Sequence, residues 1–253
     1  MSLIPSLDIE WGARRPAKPS IQVLEVGRKD QGPVFLLVER TEKAERYEGK
    51  VCEASISLTY QVIHEDPTLH HVEGGEFSAC YHRDWGSNEE LVRLSSTSVH
   101  EGGYVVVDPS WLAGHKLGTY LQNEIIAWAQ QWPEAEVCQI KLLAGQASAD
   151  NRKRRNRFYE QFGIRFDYET SEHEAGVSQP MKVRELNTVD RWQQNIQEIP
   201  LERFLAKALG QIRDQRWELK AREKNLQEIR RDWEFAVSRP VRWTLKRWIE
   251  RIT

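Results

Sequence analysis

Between residues 21 and 99 the apolar positions recur mostly at every second residue. Ile21–Val26, Val34–Arg40, Val51–Ile63 and Glu76–Tyr81 are rich in β-branched and aromatic side chains and are divided by Gly, Pro and Asp, which predicts strands. Tyr104–Asp108 (YVVVD) is short and almost entirely apolar, the pattern of a strand buried on both faces, and Pro109 stops it. The period then changes. Leu117, Leu121, Ile125, Trp128 and Trp132 follow steps of four, four, three and four. That stripe predicts a helix of about five turns, ended by Pro133. Val137–Leu143 (VCQIKLL) reads as another apolar strand. A second helix follows, capped by Ser148 or Asp150, burying Phe158, Tyr159 and Phe162 and stopping at Gly163. Ile164–Tyr168 and Met181–Leu186 read as closing strands. Alternating strands and helices of this kind predict an α/β fold, a three-layer mixed sheet with flanking helices.

Beyond Pro200 the pattern is helical throughout. Leu205, Ala208, Ile212, Leu219, Leu226, Ile229 and Trp233 sit three and four apart, and Ile212, Leu219, Leu226 and Trp233 lie at strict sevens. Gln215 and Arg222 interrupt the second seam position, so the expectation is a long helix with a partial coiled-coil seam. Ser238-Arg239-Pro240 breaks it, and Val241–Ile252 restarts as a short helix carrying Trp243, Trp248 and Ile249. Three segments result: an extended arm over 1–20, with four prolines and glycines, an α/β domain over 21–190, and a helical extension over 191–253.

Composition narrows the class. At 40% hydrophobic and 29% charged, the 253 residues suit a globular chain, and no apolar run is long enough to span a bilayer. The first ten residues lack the basic and apolar regions of a secretory signal. Cys52, Cys80 and Cys138 are odd in number and far apart, which argues for a reducing, cytoplasmic setting over a disulfide framework. His70, His71, Cys80 and His82 lack metal-ligand spacing, so no metal is expected. The net charge of −2 conceals a split: residues 200–253 carry 14 Lys and Arg against 8 Asp and Glu, the remainder 22 against 30. An acidic body with a basic tail leaves nucleic acid or a membrane surface open as partners of the tail, alongside a homodimer through the C-terminal helix.

The chemistry concentrates between Tyr104 and Phe166. A glycine-bearing turn, Gly114-His115-Lys116-Leu117-Gly118, runs directly into the first helix. Backbone N–H groups at a helix start, with the positive end of the dipole, suit a diphosphate. The next strand is followed by Asn156-Arg157-Phe158-Tyr159-Glu160-Gln161-Phe162-Gly163-Ile164. Together VVVDPSWLAGHKLGTYL and NRFYEQFGI resemble the GNAT superfamily of acetyl-CoA-dependent N-acetyltransferases, over roughly residues 100–187. That family's loop, R/Q-x-x-G-x-G/A, aligns on Ala113–Gly118. Ala113 then stands where Arg or Gln is usual and Lys116 where the first glycine is usual, while Gly118 matches. The mostly β character of 21–99 also departs from the family's usual strand and two helices.

The resemblance implies roles residue by residue. Val105, Val106 and Val107 would lend backbone groups to the pantetheine arm, in a strand that splays from its neighbour at Gln139–Leu142. Ala113, Gly114, His115, Lys116, Leu117, Gly118 and Thr119 would hold the diphosphate, and Arg152, Arg155 and Asn156 would meet a phosphate. Tyr159 would serve as general acid toward the departing CoA thiolate. A phenol with a pKa of roughly 10 keeps its proton at neutral pH, and such transfers are worth about 10²–10⁴ in rate. Its other role is a core ring with its hydroxyl at the rim. Glu101 is the candidate base for the attacking amine, and His100, Glu73 and Glu76 are further candidates. The implied activity is transfer of an acetyl or other acyl group from acyl-CoA to an unidentified amine acceptor by direct attack. The alternative is a degenerate GNAT-fold scaffold or interaction module, non-enzymatic, acting through its basic C-terminal helices.

Overall fold

The computed structural model describes residues 20–28, 31–63, 73–95, 98, 107, 109–146 and 149–250. The protein is a mixed α/β chain that divides into two units, residues 1–199 and 200–253. In the first unit a seven-stranded sheet has the order β10-β1-β2-β3-β4-β5-β6. Its strands are β1 (Ile21–Arg28), β2 (Gln31–Tyr47), β3 (Lys50–Ile63), β4 (Gly74–Arg83), β5 (Glu90–Arg93), β6 (Glu136–Val137) and β10 (Ile196–Pro200). β1 to β5 pair antiparallel in succession. Val34, Leu36 and Val38 on β2 face the core, as do Ala54, Ile56, Leu58 and Tyr60 on β3, so the period of two reports one buried face. Gly74 allows β4 to lie close to β3: a Cβ there would fall 2.1 Å from the Tyr60 carbonyl oxygen.

The β2–β3 hairpin is longer than its apolar pattern predicts. Glu48 and Gly49 both take positive φ, 48° and 79°, the turn whose twist matches paired strands. Residues 41–50 are exposed throughout, so no burial contrast marks this part of the strand in the sequence. β5 carries only Val92 into the core from its four residues, so no alternation marks it in the sequence.

α1 (Leu117–Ala129) crosses over from β5 to β6, which pair in parallel through Leu91 with Glu136 and Val92 with Val137. The apolar stripe is buried as predicted. The helix has 13 residues, fewer than the five turns expected, and Trp132 lies in the turn beyond it. There its ring stacks on Tyr81 at 4.2 Å, which preserves the burial without the helix.

The predicted strand Val137–Leu143 is broken in two. The Cys138 amide donates to the Val92 carbonyl at 2.8 Å, and two residues later the Ile140 amide donates to Ser178 Oγ at 2.9 Å. The chain thus leaves one sheet for another: β7 (Lys141–Leu142) belongs to a three-stranded sheet, order β7-β9-β8, with β8 (Phe166–Tyr168) and β9 (Gly176–Ser178). Met181–Leu186 is not a strand. It makes one bridge at Lys182 and then a 3₁₀ turn, Val183–Glu185, because the Glu185 carboxylate takes the Lys182 amide at 2.6 Å. The second predicted helix is α2 (Ala149–Glu160). Asp150 therefore lies within its first turn, and Ser148 falls outside the described residues.

The second unit holds α3 (Leu201–Ser238) and α4 (Pro240–Glu250). At 38 residues α3 extends for about 57 Å. None of its residues is buried, and Glu218–Arg222 and Arg230–Glu234 pair one turn apart along it.

Candidate functional site at the mouth of helix α1

Pro109 leads into a 3₁₀ turn, Ser110–Leu112, whose Leu112 side chain is fully buried and pins the loop. The Ala113 amide donates to Ser110 and the His115 amide to Leu112. Gly114 and Lys116 then both adopt the left-handed region, φ 89° and 71°. This pair reverses the chain so that α1 starts at once, and position 116 takes a backbone conformation that favours glycine. Lys116 is the N-cap residue and supplies no side-chain cap, and no acidic residue lies in the first turn. No helix carbonyl precedes the Leu117, Gly118 and Thr119 amides at their usual distance, so the positive end of α1 is uncompensated from within its own helix.

His115 faces inward. Its Nδ1 lies 3.2 Å from the Gly27 carbonyl, and its own carbonyl accepts from Asn195 Nδ2 at 2.7 Å. The Gly27 amide in turn donates to the Asn195 carbonyl at 2.8 Å. These contacts tie the loop to β1 and to the turn before β10, so His115 contributes backbone position to the mouth. Lys116 is exposed. Trp111, just upstream, donates Nε1–H to the Glu73 carboxylate at 3.2 Å, with the Arg28 guanidinium 5.5 Å over its ring. Glu73 is thus brought beside the loop, whereas Glu76 accepts from Ser57 at 2.8 Å in an exposed position. Glu101, His100, Val105 and Val106 lie outside the described residues.

Gly118 is buried, and a Cβ there would meet Val107 Cγ2 at 3.0 Å, Phe158 at 3.6 Å and Phe77 at 3.7 Å. Val107 is in coil, and with Phe158 it brings the end of YVVVD and the start of FYEQF together at the same turn of α1. The Gln161 amide group, which donates to the Phe158 carbonyl at 3.0 Å, lies 3.5 Å from Thr119 Oγ1. Tyr159 follows Phe158 on α2, half-buried, edge-on to Phe158 and Phe166 at 5.1 and 5.6 Å. Burial pushes its phenol above the ordinary value, with the Arg155 guanidinium pulling the other way. Its hydroxyl has no hydrogen-bond partner among the described residues, and the side chain that meets the loop from this helix is Phe158, at Gly118.

The basic residues of α2 divide by role. Arg155 donates to the carbonyls of Leu143 at 2.9 Å and Glu174 at 2.7 Å, and to Asn156 Oδ1. Asn156 is buried, and its Nδ2 reaches the His173 carbonyl at 3.0 Å. Both side chains therefore staple the loop before β9 to the helix. Arg152 pairs with Glu174 at 3.2 Å, and Lys153, Arg154 and Arg157 are exposed.

One polar cluster escaped the sequence. α1 buries 11 of its 13 residues, including Tyr120, Gln122 and Glu124. Arg40 reaches Glu124 at 3.0 Å, and Tyr120 hydrogen-bonds Gln22 and donates to Glu198 at 2.7 Å. Burial and the nearby Glu124 and Glu198 carboxylates hold the Tyr120 phenol well above its ordinary range. The apolar stripe alone does not reveal a helix enclosed around nearly its whole circumference, and only that enclosure makes these side chains internal.

Among the described residues no three His, Cys, Asp or Glu side chains gather as a metal site, and no helix is long and apolar enough to cross a membrane. No family model matches the chain, and neither any curated protein nor any solved structure matches it.

Proposed function

We propose that the first unit is an acyltransferase of GNAT type, moving an acetyl or other acyl group from acyl-CoA to an amine by direct attack. The observation that carries this reading is the mouth of α1: left-handed Gly114 and Lys116 directly ahead of the Leu117, Gly118 and Thr119 amides, with Phe158 packed against the same turn. Those amides would receive the diphosphate, and the exposed Lys116 ammonium would add charge to it. The parting of β5 from the 136–142 segment after Val92 supports the same reading, since backbone groups turned away from one another there would be able to bond an extended arm. Tyr159 would hold its proton at the hydroxyl and donate it to the leaving thiolate, its burial keeping the phenol neutral. Arg155 and Asn156 shape the site through their carbonyl partners. Among the described residues Glu73 is a carboxylate held beside the loop by Trp111, and it would take the amine proton.

Isothermal titration with acetyl-CoA tests the binding claim, and no heat at millimolar ligand refutes it. Tyr159→Phe should lower turnover by about 10²-fold or more with affinity nearly unchanged. Unchanged turnover removes the acid role.

For α3 the same reading assigns a second copy of the helix. With Ile212 facing Ile229 of an antiparallel copy, Arg216 faces Glu223 at both ends of the central layer, whereas a parallel pair sets Glu218 against Glu223. Light scattering should show a dimer that Arg216→Glu weakens; a monomer at all concentrations refutes the pairing.

A further inference from the structure

α4 is the most strongly amphipathic of the described helices, and its two sides have different fates. Trp243 is half-buried, Arg247 lies 5.7 Å over its ring, and Arg247 also reaches Asp232 of α3 at 3.5 Å. The Trp243 amide donates to the Arg239 carbonyl across the break between the helices. This side is engaged in the corner with α3. On the opposite side Val241, Leu245, Trp248 and Ile249 fall on one stripe at helical spacing, and their exposures run from 54% to 73%. No residue of α4 is buried, so these four apolar side chains all present most of their surface to water.

One flank of the stripe is cationic. Arg242 and Lys246 border it one turn apart, Arg239 stands at its start, and Glu250 is the one acidic residue of the helix, paired with Lys246 at 3.8 Å. We propose that α4 is an in-plane anchor that seats the protein on an anionic lipid surface. At 11 residues the helix is about 16 Å long, far short of a bilayer core of about 30 Å, so it lies in the interface and does not cross it. Lipid satisfies both halves of the pattern: the acyl boundary takes the four apolar side chains, and anionic headgroups meet Arg242 and Lys246. A nucleic acid would meet the cations and leave the stripe in water. An antiparallel second α4 would cover the stripe by bringing two basic flanks together. Trp248 sits where an interfacial aromatic is favoured.

The test uses the full chain with vesicles of phosphatidylcholine alone and of phosphatidylcholine with three-tenths phosphatidylglycerol. The protein should float with the anionic vesicles, stay behind with the neutral ones, and be released by 1 M salt on the order of the screening expected for surface charge. Arg242→Gln with Lys246→Gln should weaken anionic binding about thirtyfold, from the typical value of each basic residue near such a surface. Trp248→Glu with Ile249→Glu should abolish it; both changes fall on exposed positions, and circular dichroism checks that the helices persist. Three results overturn the proposal: no flotation with anionic vesicles, equal flotation with neutral ones, or wild-type flotation of the stripe variant. A DNA duplex that binds the stripe variant as tightly as wild type, without vesicle binding, assigns the basic face to nucleic acid. A dimer that the stripe variant dissociates, again without vesicle binding, assigns the stripe to a second copy.

Discussion

Lys116 places a side chain where the backbone asks for glycine, and replacing it measures the geometry of the loop. Its φ of 71° is left-handed, a conformation that costs an L-residue about 1–2 kcal/mol. Lys116→Gly removes that cost. The added freedom of glycine in the unfolded chain takes back about 0.4–1 kcal/mol. The ammonium also sits at the positive end of α1, so its removal acts in the same direction as the relief of strain. The net expectation is a gain of about 0.5–1 kcal/mol, which for a unit of this size raises Tm by about 1–4 °C. Lys116→Val is the control: a β-branched residue tolerates positive φ worse than lysine, so Tm should fall. Urea unfolding of both variants, read at constant m, isolates the effect from changes in the denatured state. A fall in midpoint for Lys116→Gly, together with an unchanged Lys116→Val, would falsify the left-handed assignment and with it the cradle at the helix mouth.

Other consequences are open to direct measurement. Arg40→Met removes the guanidinium from Glu124, which is 4% exposed, and should cost about 3–5 kcal/mol, most of it recovered by Arg40→Met/Glu124→Leu; a loss below about 1 kcal/mol in chemical denaturation contradicts a buried pair. Arg155→Ala should destabilise by about 2 kcal/mol and speed amide exchange over 173–176, because the guanidinium ties three carbonyls together. Intact stability with weakened acetyl-CoA binding would instead place Arg155 on a phosphate. Burial pushes the Cys80 thiol from 9.0 up to about 11, and burial with the Glu90 carboxylate pushes Tyr81 from 10.0 up to about 12. Both groups hold their protons more tightly folded than unfolded, so their stabilisation is complete below pH 9.0 and fades as pH rises through about 11–12. Thermal melts from pH 8 to 12 should show that decline, and Cys80→Ala/Tyr81→Phe should flatten it; equal slopes in the two proteins refute the assignment.

Local patterns were informative wherever one face of an element is buried and the other is wet. The alternation in Val34–Val38 and Ala54–Tyr60 and the stripe Leu117–Leu121–Ile125–Trp128 follow from that contrast and are legible residue by residue, while the helices after Pro200 are legible from spacing alone, since none of their residues is buried. So is the coarse α/β order, and so is the turn that precedes α1, since glycine and its neighbours restrict backbone angles locally. Where the contrast vanishes, the pattern is silent. Residues 41–47 extend β2 with no buried face, and α1 hides Tyr120, Gln122 and Glu124 because neighbours enclose it on nearly all sides.

Tertiary contacts decided the remainder. Whether Val137–Leu143 runs as one strand depends on Val92 and Ser178, which compete for its backbone from two sheets and lie far away in sequence. Met181–Leu186 has the apolar content of a strand, yet the Glu185 carboxylate claims the Lys182 amide and turns the chain. Arg155 reads from sequence as a phosphate contact, and only folding brings the Leu143 and Glu174 carbonyls within its reach. Periodicity records how each side chain meets water and core. It does not encode which distant donor meets which acceptor, because that is set by loop closure and packing across the whole unit.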